Sequence, residues 1–396
     1  MTNPVLPLLA LKKNEERRLQ AGHLWVFSNE VDTRKTALKE RVPGELVTVQ
    51  SAAGKVLGTA YVNPNSLICA RLVSRRGDAR FDADLLRRRL LSALELRERL
   101  FPQPCYRLVY GESDGLPGLV VDRYGDVLVC QITTAGMERV RDTLIEVLQE
   151  CLQPSGIMLR DDSPMRAIEG LAQGSMQIGV VPDTVQLQEG GVSFEVPLAG
   201  GQKTGWFFDQ RSNRLAMHKY VPGKRVLDVF SYVGGWGLQA ARAGATEVTC
   251  VDASATALDV LQRSARDNGL SGVGVEAGDG FDVMQAMRGA QRRFDVVIVD
   301  PPAFIKRRKD IRQGEQGYAR LNQLALELLE PGGILISCSC SMHLAEARLQ
   351  QILLSAACRQ SRQLQLLERG FQCMDHPVHP AIAETAYLKA MFCRVP

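Results

Sequence analysis

Up to about residue 75 the chain alternates short apolar runs with turn-forming residues. The apolar runs LWVFSNEV, GELVTVQ, VLGTAYV and LICARLV each have the length of a β-strand. Turn formers separate them, with Ala-Gly-Lys at 53–55 and Asn-Pro-Asn at 63–65. This pattern predicts a small β-rich domain over residues 1–75.

The next part of the chain combines long helical patterns with strand-like runs. In DADLLRRRLLSALELRERL, leucines recur at helical spacing between arginines, at positions 85, 86, 90, 94 and 100. Strand-length runs follow in YRLVYGE, LPGLVVDRYG and DVLVCQITT, and a second helix is predicted over residues 138–152. Residues 76–190 are therefore predicted to form a central α+β domain.

From about residue 191 onward, strands alternate with helices of about ten or more residues. This alternation is typical of an α/β domain whose parallel sheet carries helices on both faces. Binding sites in such sheets lie beyond the carboxyl ends of the strands. The third predicted domain covers residues 191–396, and its strand ends are the place to look for chemistry.

Acidic residues end three of these predicted strands. Asp252 ends EVTCVD, Asp279 follows VGVEAG, and Asp300 ends FDVVIVD. A carboxylate in the position of Asp252 can hold a ribose diol, and one in the position of Asp279 can accept from an exocyclic adenine amine. The glycine-containing loop after VLDV lacks GxGxxG spacing and by itself could be a simple strand-to-helix turn. Together with the acids it predicts a site for a nucleoside-type cofactor.

Composition changes this picture little. The length of 396 residues suggests two or three domains, and the net charge of +4 is too small to identify a polyanionic partner. The ten cysteines include no CxxC pair, which favours a reducing compartment. Neither an export signal nor a run of about eighteen apolar residues is present, so we expect a cytoplasmic protein without a membrane span.

Taken in their order along the chain, these motifs resemble those of a known enzyme family. VLDVFSYVGG, VDAS, GDGFD, VDPPAF and GGILISCSCS together resemble the S-adenosylmethionine-dependent RNA cytosine-C5 methyltransferases that act on the large ribosomal subunit. LKKNEERRLQAGHLWVFSNEV resembles the N-terminal PUA RNA-binding domain of that family, GESDGLPGLVVDRYG its central domain, and GQKTGWFFDQRSNR the segment that leads into its catalytic domain. The resemblance covers nearly the whole chain and implies a Rossmann-like methyltransferase sheet at its C-terminal end.

The same resemblance implies a set of cofactor-binding residues for S-adenosylmethionine. Those at the strand ends and the loops that follow them are Phe230, Ser231, Tyr232, Gly234, Gly235, Asp252, Asp279 and Gly280. Those on the segment before the sheet are Thr204, Asp209, Gln210 and Arg211. One departure is Val233, where the family often has a threonine whose hydroxyl would be available to the cofactor.

Two cysteines near the end of one predicted strand are candidates for the catalytic nucleophile. C5 of a pyrimidine becomes nucleophilic when a thiolate adds to C6. Cys338 and Cys340 share a strand face, but Cys340 lies about 6 to 7 Å nearer the carboxyl end. Its spacing from Gly332 and Gly333 matches the nucleophile of the family. Cys340 is therefore the predicted nucleophile, with Cys338 as a buried neighbour; the alternative is that both thiols only pack in the core.

Asp300 is the predicted partner of Cys340, placed to hydrogen-bond the N3 and N4 edge of a cytosine or to assist proton transfer. Pro301 and Pro302 would stiffen its loop, and Phe304 could stack on the base. With no second cysteine in this motif, the base that releases the adduct is not identified. Two alternatives stay open: DPPAF resembles the motif of exocyclic-amine methyltransferases, and the chain could be a non-catalytic RNA-binding assembly factor.

A basic run directly follows DPPAF, consisting of Lys306, Arg307, Arg308 and Lys309. It could hold RNA phosphates beside the site or simply be a solvated surface. The expected substrate is ribosomal RNA, 23S rRNA above all, with a single-stranded or flipped target base. A homodimer is one open oligomeric state. The spacing of Cys373, His376 and His379 makes a poor metal site, so no metal is predicted.

Overall fold

The computed structural model describes residues 5–198 and 205–396. The chain forms two compact units. The first runs to Pro182 and includes Asp375–Thr385, and the second comprises Asp183–Met374 and Ala386–Pro396. The boundary predicted between residues 190 and 191 falls inside a hairpin of the second unit. The return of a late segment to the first unit was not predicted.

The β-rich start of the chain is confirmed as a five-stranded sheet. Its elements are β1 (Leu8–Ala10), α1 (Arg17–Gln20), β2 (Trp25–Phe27), β3 (Glu45–Gln50), β4 (Val56–Val62) and β5 (Ile68–Ser74). The strand order is β1-β3-β4-β5-β2, and only β1 joins its neighbour in parallel. The sequence pattern did not indicate β1, because it has only three residues and its partner β3 lies far along the chain.

The same unit contains a second five-stranded sheet. Its elements are α2 (Ala83–Leu100), β6 (Cys105–Tyr110), β7 (Leu119–Tyr124), β8 (Val127–Ile132), α3 (Ala135–Arg139), α4 (Arg141–Leu152), β9 (Gly156–Asp161), α5 (Pro164–Ile168) and β10 (Gly174–Gly179). The strand order is β10-β9-β8-β7-β6. Asp82 caps α2 by accepting a hydrogen bond from Leu85 N at 3.1 Å. The helix predicted over 138–152 is divided at Val140, and β9 and β10 had not been predicted.

The second unit starts with the hairpin β11 (Thr184–Glu189) and β12 (Val192–Pro197). Its helices are α6 (Arg211–Met217), α7 (Gly237–Arg242), α8 (Ala255–Asp267), α9 (Gly280–Gly289), α10 (Ile311–Glu327) and α11 (Glu346–Arg359). Its sheet strands are β13 (Arg225–Val229), β14 (Glu247–Asp252), β15 (Val273–Ala277), β16 (Phe294–Val299), β17 (Leu329–Ser339), β18 (Gln365–Gly370) and β19 (Lys389–Val395). Strands and helices alternate here as the sequence predicted.

The seven-stranded sheet has the order β15-β14-β13-β16-β17-β19-β18. Its first five strands are parallel, as predicted, and the expectation of a parallel sheet is wrong for the last two. β19 is antiparallel to β17, and β18 is antiparallel to β19. The central strand β16 is apolar throughout its second half because both faces are covered, and Val296, Val297, Ile298 and Val299 are all fully buried.

This topology determines where a ligand can bind. β13 is flanked by β14 on one side and β16 on the other, so the connections diverge on either side of β13 and β16. A crevice forms beyond the carboxyl ends of the strands at such a switch point. Among the described helices, none is long and apolar enough to cross a membrane.

Candidate active site

The switch point brings together the loops that follow β13, β16 and β17. Val229 pairs with Val299, and Val299 pairs with Ser337, so the ends of these three strands lie side by side. The residues that follow them are Phe230, Asp300 and Cys340. The structure thus gathers at one edge of the sheet three groups that are far apart in the sequence.

Asp300 is held by two donors from elsewhere in the unit. Gln210 Nε2 donates to its Oδ1 at 3.0 Å, and Trp236 Nε1 donates to its Oδ2 at 3.0 Å. Burial raises the pKa of Asp300 to about 6, and the charge of Asp209 acts in the same direction. The carboxyl group is therefore fixed in orientation and can exchange a proton near neutral pH. The sequence predicted Asp300 but gave no signal for Trp236.

The two candidate cysteines differ in depth. Cys338 is fully buried inside β17, and burial raises the pKa of its thiol well above the usual value. Cys340 lies one residue beyond the strand and is half-buried, with its Sγ 3.9 Å from Pro301 O. Of the two thiols, the one next to the Asp-Pro-Pro loop is Cys340. Its role as nucleophile remains a prediction.

A chain of hydroxyl groups fixes the backbone on either side of Cys340. Ser339 Oγ donates to Tyr318 OH at 2.9 Å, and Tyr318 OH lies 2.9 Å from Ser341 Oγ. Ser341 Oγ also accepts from Ile305 N at 3.1 Å, which joins the loop after β17 to the loop after β16. Ser339, Ser341 and Tyr318 are all buried, so these bonds are shielded from water. Sequence reasoning did not identify Tyr318.

The loop after β13 has an unusual backbone. Phe230 and Tyr232 have φ values of 68° and 50°, a region that non-glycine residues rarely occupy. Asp252 stabilises this shape, because its carboxylate accepts from Tyr232 N at 2.8 Å and from Ser254 N at 2.9 Å. Backbone strain of this kind concentrates at ligand sites. Asp252 therefore shapes the loop, and its contact with a ribose remains a prediction.

The glycines of the site are required by close packing. A Cβ on Gly234 would come within 2.7 Å of Leu261 Cγ, and one on Gly280 within 2.9 Å of Phe230 Cζ. A Cβ on Gly235 would be 3.3 Å from the ring of Trp206. Small residues here let α7, α8 and the Phe230 ring approach the strand ends.

Other residues of this loop and the next have structural partners as well. Ser231 is buried and its Oγ donates to Val251 O at 3.3 Å. Val233 is fully buried, so the position where the family often has threonine faces the core here. Asp279 caps α9 by accepting from Phe281 N at 2.9 Å.

The segment before α6 supplies Asp209 and Gln210, and Arg211 is the first residue of α6, while Thr204 lies outside the described residues. The Asp209 carboxylate accepts a hydrogen bond from Tyr387 OH. Arg211 Nε donates to Glu189 Oε2 at 3.2 Å. Arg211 is thus directed to a neighbouring ion-pair cluster and Gln210 to Asp300.

That cluster centres on Glu189, which no sequence motif indicated. Its buried carboxylate accepts from Arg214 Nε at 2.6 Å, Gln239 Nε2 at 2.8 Å and Trp206 Nε1 at 3.1 Å. Burial raises the pKa of Glu189, but Arg214 and Arg211 outweigh burial and hold it below its usual range. Gln210 directly precedes Arg211 of this cluster, and Trp236 lies three residues before Gln239, so short stretches of chain join both donors of Asp300 to the cluster.

The loop after β16 contains the residues that were predicted to contact the substrate, namely the Asp-Pro-Pro-Ala-Phe motif and the basic run that follows it. Pro301 is buried and Pro302 exposed, and the half-buried Phe304 ring lies 4.8 Å from Tyr318 and 6.1 Å from Phe281, measured between ring centroids. All four side chains of the basic run at 306–309 are exposed. No residue in the described part of the chain forms an ion pair with them. Their charges are available to an external anion.

The residues weighed as metal ligands have other partners. Ser212 Oγ donates to Cys373 Sγ at 3.2 Å, and His376 Nδ1 lies 2.9 Å from Asp375 Oδ1. Within residues 5–198 and 205–396, no group of three or more His, Cys, Asp or Glu side chains is positioned to hold a metal ion.

Two family models match parts of this chain. Residues 9–75 match a family model described as a PUA-like domain. Residues 169–394 match one described as S-adenosylmethionine-dependent methyltransferase. The second match spans more than half of the chain and contains every predicted catalytic residue.

Two similar relatives carry the name "Ribosomal RNA large subunit methyltransferase I". The one from Erwinia tasmaniensis is 39% identical over 394 residues, covering 98% of this chain and 99% of the relative. The one from Salmonella arizonae is 38% identical over 401 residues, covering 100% and 99%.

Solved structures share the fold at lower identity. A methyltransferase-like protein crystallised in complex with SAH has a TM-score of 0.85 at 22% identity, with 98% of this chain and 100% of that chain covered. A SAM-dependent methyltransferase-like protein from Streptococcus mutans has a TM-score of 0.84 at 21% identity, with the same coverage. At this level of identity the likeness establishes the fold.

Proposed function

The chain belongs to the S-adenosylmethionine-dependent methyltransferases, and on that premise we propose that it methylates C5 of a cytosine in large-subunit ribosomal RNA, through a covalent bond between Cys340 and C6. The observation that carries this proposal is the half-buried Cys340 thiol beside Pro301 O, at the same sheet edge as Asp300. An enzyme that methylates an exocyclic amine has no use for a thiol at this position. The names of the relatives support ribosomal RNA as the substrate class.

The proposed reaction starts with addition of the Cys340 thiolate to C6 of the cytosine. As the S–C6 bond forms, the C5=C6 π pair moves onto C5 and the ring. When S-adenosylmethionine is bound, it would supply its methyl group to the nucleophilic C5, and S-adenosylhomocysteine would leave. A base removes the C5 proton, the C5=C6 bond re-forms, and the C6–S bond breaks to return the thiolate.

Asp300 acts on the ring in this scheme. Gln210 and Trp236 hold its carboxyl at fixed orientation, so it can hydrogen-bond the N3 and N4 edge of the base. With a pKa raised to about 6 by burial, it can also donate a proton to the ring as negative charge develops there. Asp300 thereby favours addition of the thiolate.

The strand-end residues fit S-adenosylmethionine, which supplies the electrophilic methyl group. Asp252 offers a carboxylate at the end of β14 for the ribose hydroxyls, and Asp279 offers one at the start of α9. Phe230 lies against Gly280, which provides an apolar wall beside them.

RNA would reach the site along the exposed basic run at 306–309. The run directly follows the Asp-Pro-Pro loop, so phosphates held there would flank the target base. A base inside a duplex cannot reach a thiol at a sheet edge, and the target is therefore single-stranded or flipped out. The PUA-like domain over residues 9–75 supports a second contact with RNA.

Covalent trapping tests this function directly. With RNA that carries 5-fluorocytosine at the target, the wild type and Cys338→Ala should accumulate a protein–RNA adduct, because fluorine prevents the final elimination. Cys340→Ala should form no adduct and transfer no methyl group. Gel electrophoresis measures the adduct, and nucleoside mass spectrometry of ribosomal RNA from cells with and without the protein measures the product.

Other outcomes of the trapping experiment would contradict the proposed function in different ways. If both single variants stay active and trap nothing, the thiols are core packing and the Asp-Pro-Pro-Ala-Phe loop would serve amine methylation. If Cys338→Ala alone loses the adduct, the nucleophile is Cys338. The wild type could instead bind RNA and yet transfer no methyl group at any concentration of S-adenosylmethionine. The chain would then be a non-catalytic RNA-binding assembly factor.

The proposed function also bears on the cellular compartment and the oligomeric state of the protein. A ribosomal RNA substrate implies that the protein acts in the cytoplasm, and cofractionation with ribosomal particles measures this. A homodimer remains a prediction, and light scattering coupled to size-exclusion chromatography separates one chain from two.

A further inference from the structure

A buried lysine lies beside the rim that carries Cys340. Lys389 is the first residue of β19 and pairs with Ser339 of β17. Its Nζ donates to Ser341 O at 2.7 Å, so the amine reaches past the strand end to the carbonyl group of the residue after Cys340. The side chain is buried. No carboxylate in the described part of the chain lies within ion-pair distance of it.

Burying the charged amine of Lys389 costs free energy unless a neighbouring anion offsets the loss of solvation. A buried ammonium without a paired carboxylate is unfavourable, and burial lowers the pKa of Lys389 to about 8. The charges that raise this pKa again are those of Cys340 and then Glu346. Cys340 directly precedes Ser341, whose carbonyl holds the amine, so its thiolate would be an anionic neighbour of the amine.

We propose that Lys389 is a positioning residue whose ammonium stabilises the thiolate of Cys340 and whose hydrogen bond to Ser341 O fixes the rim that carries it. The inference rests on the proposed function, in which Cys340 is the nucleophile. A cation beside a cysteine favours its ionised form. The same cation favours the last step, because a thiol of lower pKa is a better leaving group when the C6–S bond breaks.

Among the described residues, the titratable groups that interact with Cys340 or Cys338 include Tyr318, Asp300 and Asp228, and none of these can supply a positive charge. Burial raises the pKa of Tyr318, on α10, so its hydroxyl stays neutral. Burial raises the pKa of Cys338, on β17, so it is a neutral thiol. Glu346, at the start of α11, is an anion that acts on Lys389. Lys389 on β19 brings a buried amine to this rim.

The rate of alkylation of Cys340 as a function of pH tests the proposal without RNA or cofactor. Iodoacetamide reacts with the thiolate, and peptide-resolved mass spectrometry separates Cys340 from the other cysteines. In the folded full chain, Lys389→Gln keeps a hydrogen-bond donor and removes the charge. In this variant, the midpoint of the pH dependence of Cys340 alkylation should rise by about one pH unit. Alkylation of Cys340 at pH 7 should then be about tenfold slower.

Two further variants separate charge from structure. Lys389→Arg keeps a cation and should keep a midpoint close to that of the wild type. Arg394→Gln removes an exposed cation from the same strand and should leave the midpoint unchanged. Methyl transfer measured in parallel should fall in Lys389→Gln and be largely retained in Lys389→Arg.

A Lys389→Gln chain that is folded and has the wild-type alkylation profile overturns the proposal. Should that variant fail to fold, the wild type decides: a Cys340 midpoint at or above about 8.5, the value of an ordinary cysteine, overturns it equally. The proposed function is tested separately, since methyl transfer that persists in Cys340→Ala contradicts it whatever the alkylation profile shows.

Discussion

At the scale of single residues, Asp228 is the most unusual group outside the proposed chemistry. It lies fully buried in β13, and its Oδ2 accepts from Gly237 N at 2.9 Å. Its Oδ1 has no hydrogen-bond partner among the described residues. Burial raises the pKa of Asp228 to about 8, and the charges of Asp300 and Asp252 add to this. A carboxyl group with this pKa is mostly protonated at neutral pH.

This raised pKa predicts how stability changes with pH. A raised pKa in the folded state contributes stability that is fully present below about pH 4 and is lost as the pH rises through 8. Asp228→Asn, which cannot ionise, should therefore be more stable than the wild type at pH 9 by about 2 to 5 kcal/mol, and the difference should vanish near pH 4. Urea denaturation between pH 4 and 9 measures it. Asp259→Asn, on an exposed position of α8, serves as control, and equal pH slopes for the wild type and Asp228→Asn would contradict the prediction.

Asp300 carries the second prediction at this scale. Asp300→Asn should lower methyl transfer by about 10² to 10⁴-fold, the usual contribution of a positioned acid or base. Cofactor affinity should stay within a few-fold of the wild type, because the proposed contacts of Asp300 are with the base. Single-turnover methylation and calorimetry with SAH measure the two quantities. A variant that loses both together would indicate a role for Asp300 in holding the loop.

At the scale of elements, the loop after β13 and the start of α9 form one packed unit. Gly280→Ala should displace the Phe230 ring, since the new Cβ would lie 2.9 Å from Phe230 Cζ. Overpacking of this kind costs about 1 to 3 kcal/mol, so we expect weaker SAH binding by about tenfold or more. Gly289→Ala at the other end of α9 is the matched control, because its Cβ would meet nothing within 4 Å. Equal affinities of the two variants for SAH would show that Phe230 does not contribute to cofactor binding.

The basic run at 306–309 yields a second prediction for an element. Replacing all four residues with glutamine should weaken RNA binding and reduce the slope of log K against log salt by about 0.7 for each phosphate of a single strand that is no longer bound. SAH binding should be unaffected. The control replaces Arg266 and Arg359, which are exposed on α8 and α11. An unchanged slope in the fourfold variant would return the run to an ordinary solvated surface.

At the scale of the whole molecule, charge and domain organisation set the expectations. The excess of 48 basic over 44 acidic residues gives a weak overall attraction to RNA, so affinity has to come from local clusters. Each compact unit has its own hydrophobic core. Ligand stabilisation should therefore appear in the unit that binds the ligand.

Hydrogen exchange with SAH tests this expectation. At about 100 times Kd, a ligand stabilises the state that binds it by about 2.7 kcal/mol. The gain in protection should fall on β13, β14 and β16 and leave the two sheets of the first unit unchanged. A gain spread evenly over both units would contradict a cofactor site confined to residues 183–374 and 386–396.

The sequence by itself determined the class of each region, because local periodicity reports it. Alternating and fully apolar runs located most strands, and leucine spacing located α2. Strand-end acids located Asp252 and Asp300, since the carboxyl ends of parallel strands always share one edge. Counting residues along β17 distinguished the depths of Cys338 and Cys340, which the structure places as fully buried and half-buried.

Only the tertiary structure decided which distant groups support that edge. Tyr318, Lys389 and Glu189 carry no motif, and each reaches the site through pairing or packing with a segment far away in the sequence. Lys389 lies beside Cys340 because β19 pairs antiparallel with β17 in a register that brings Lys389 opposite Ser339. Local patterns do not specify such a register, because it results from burial and hydrogen bonding across the whole sheet.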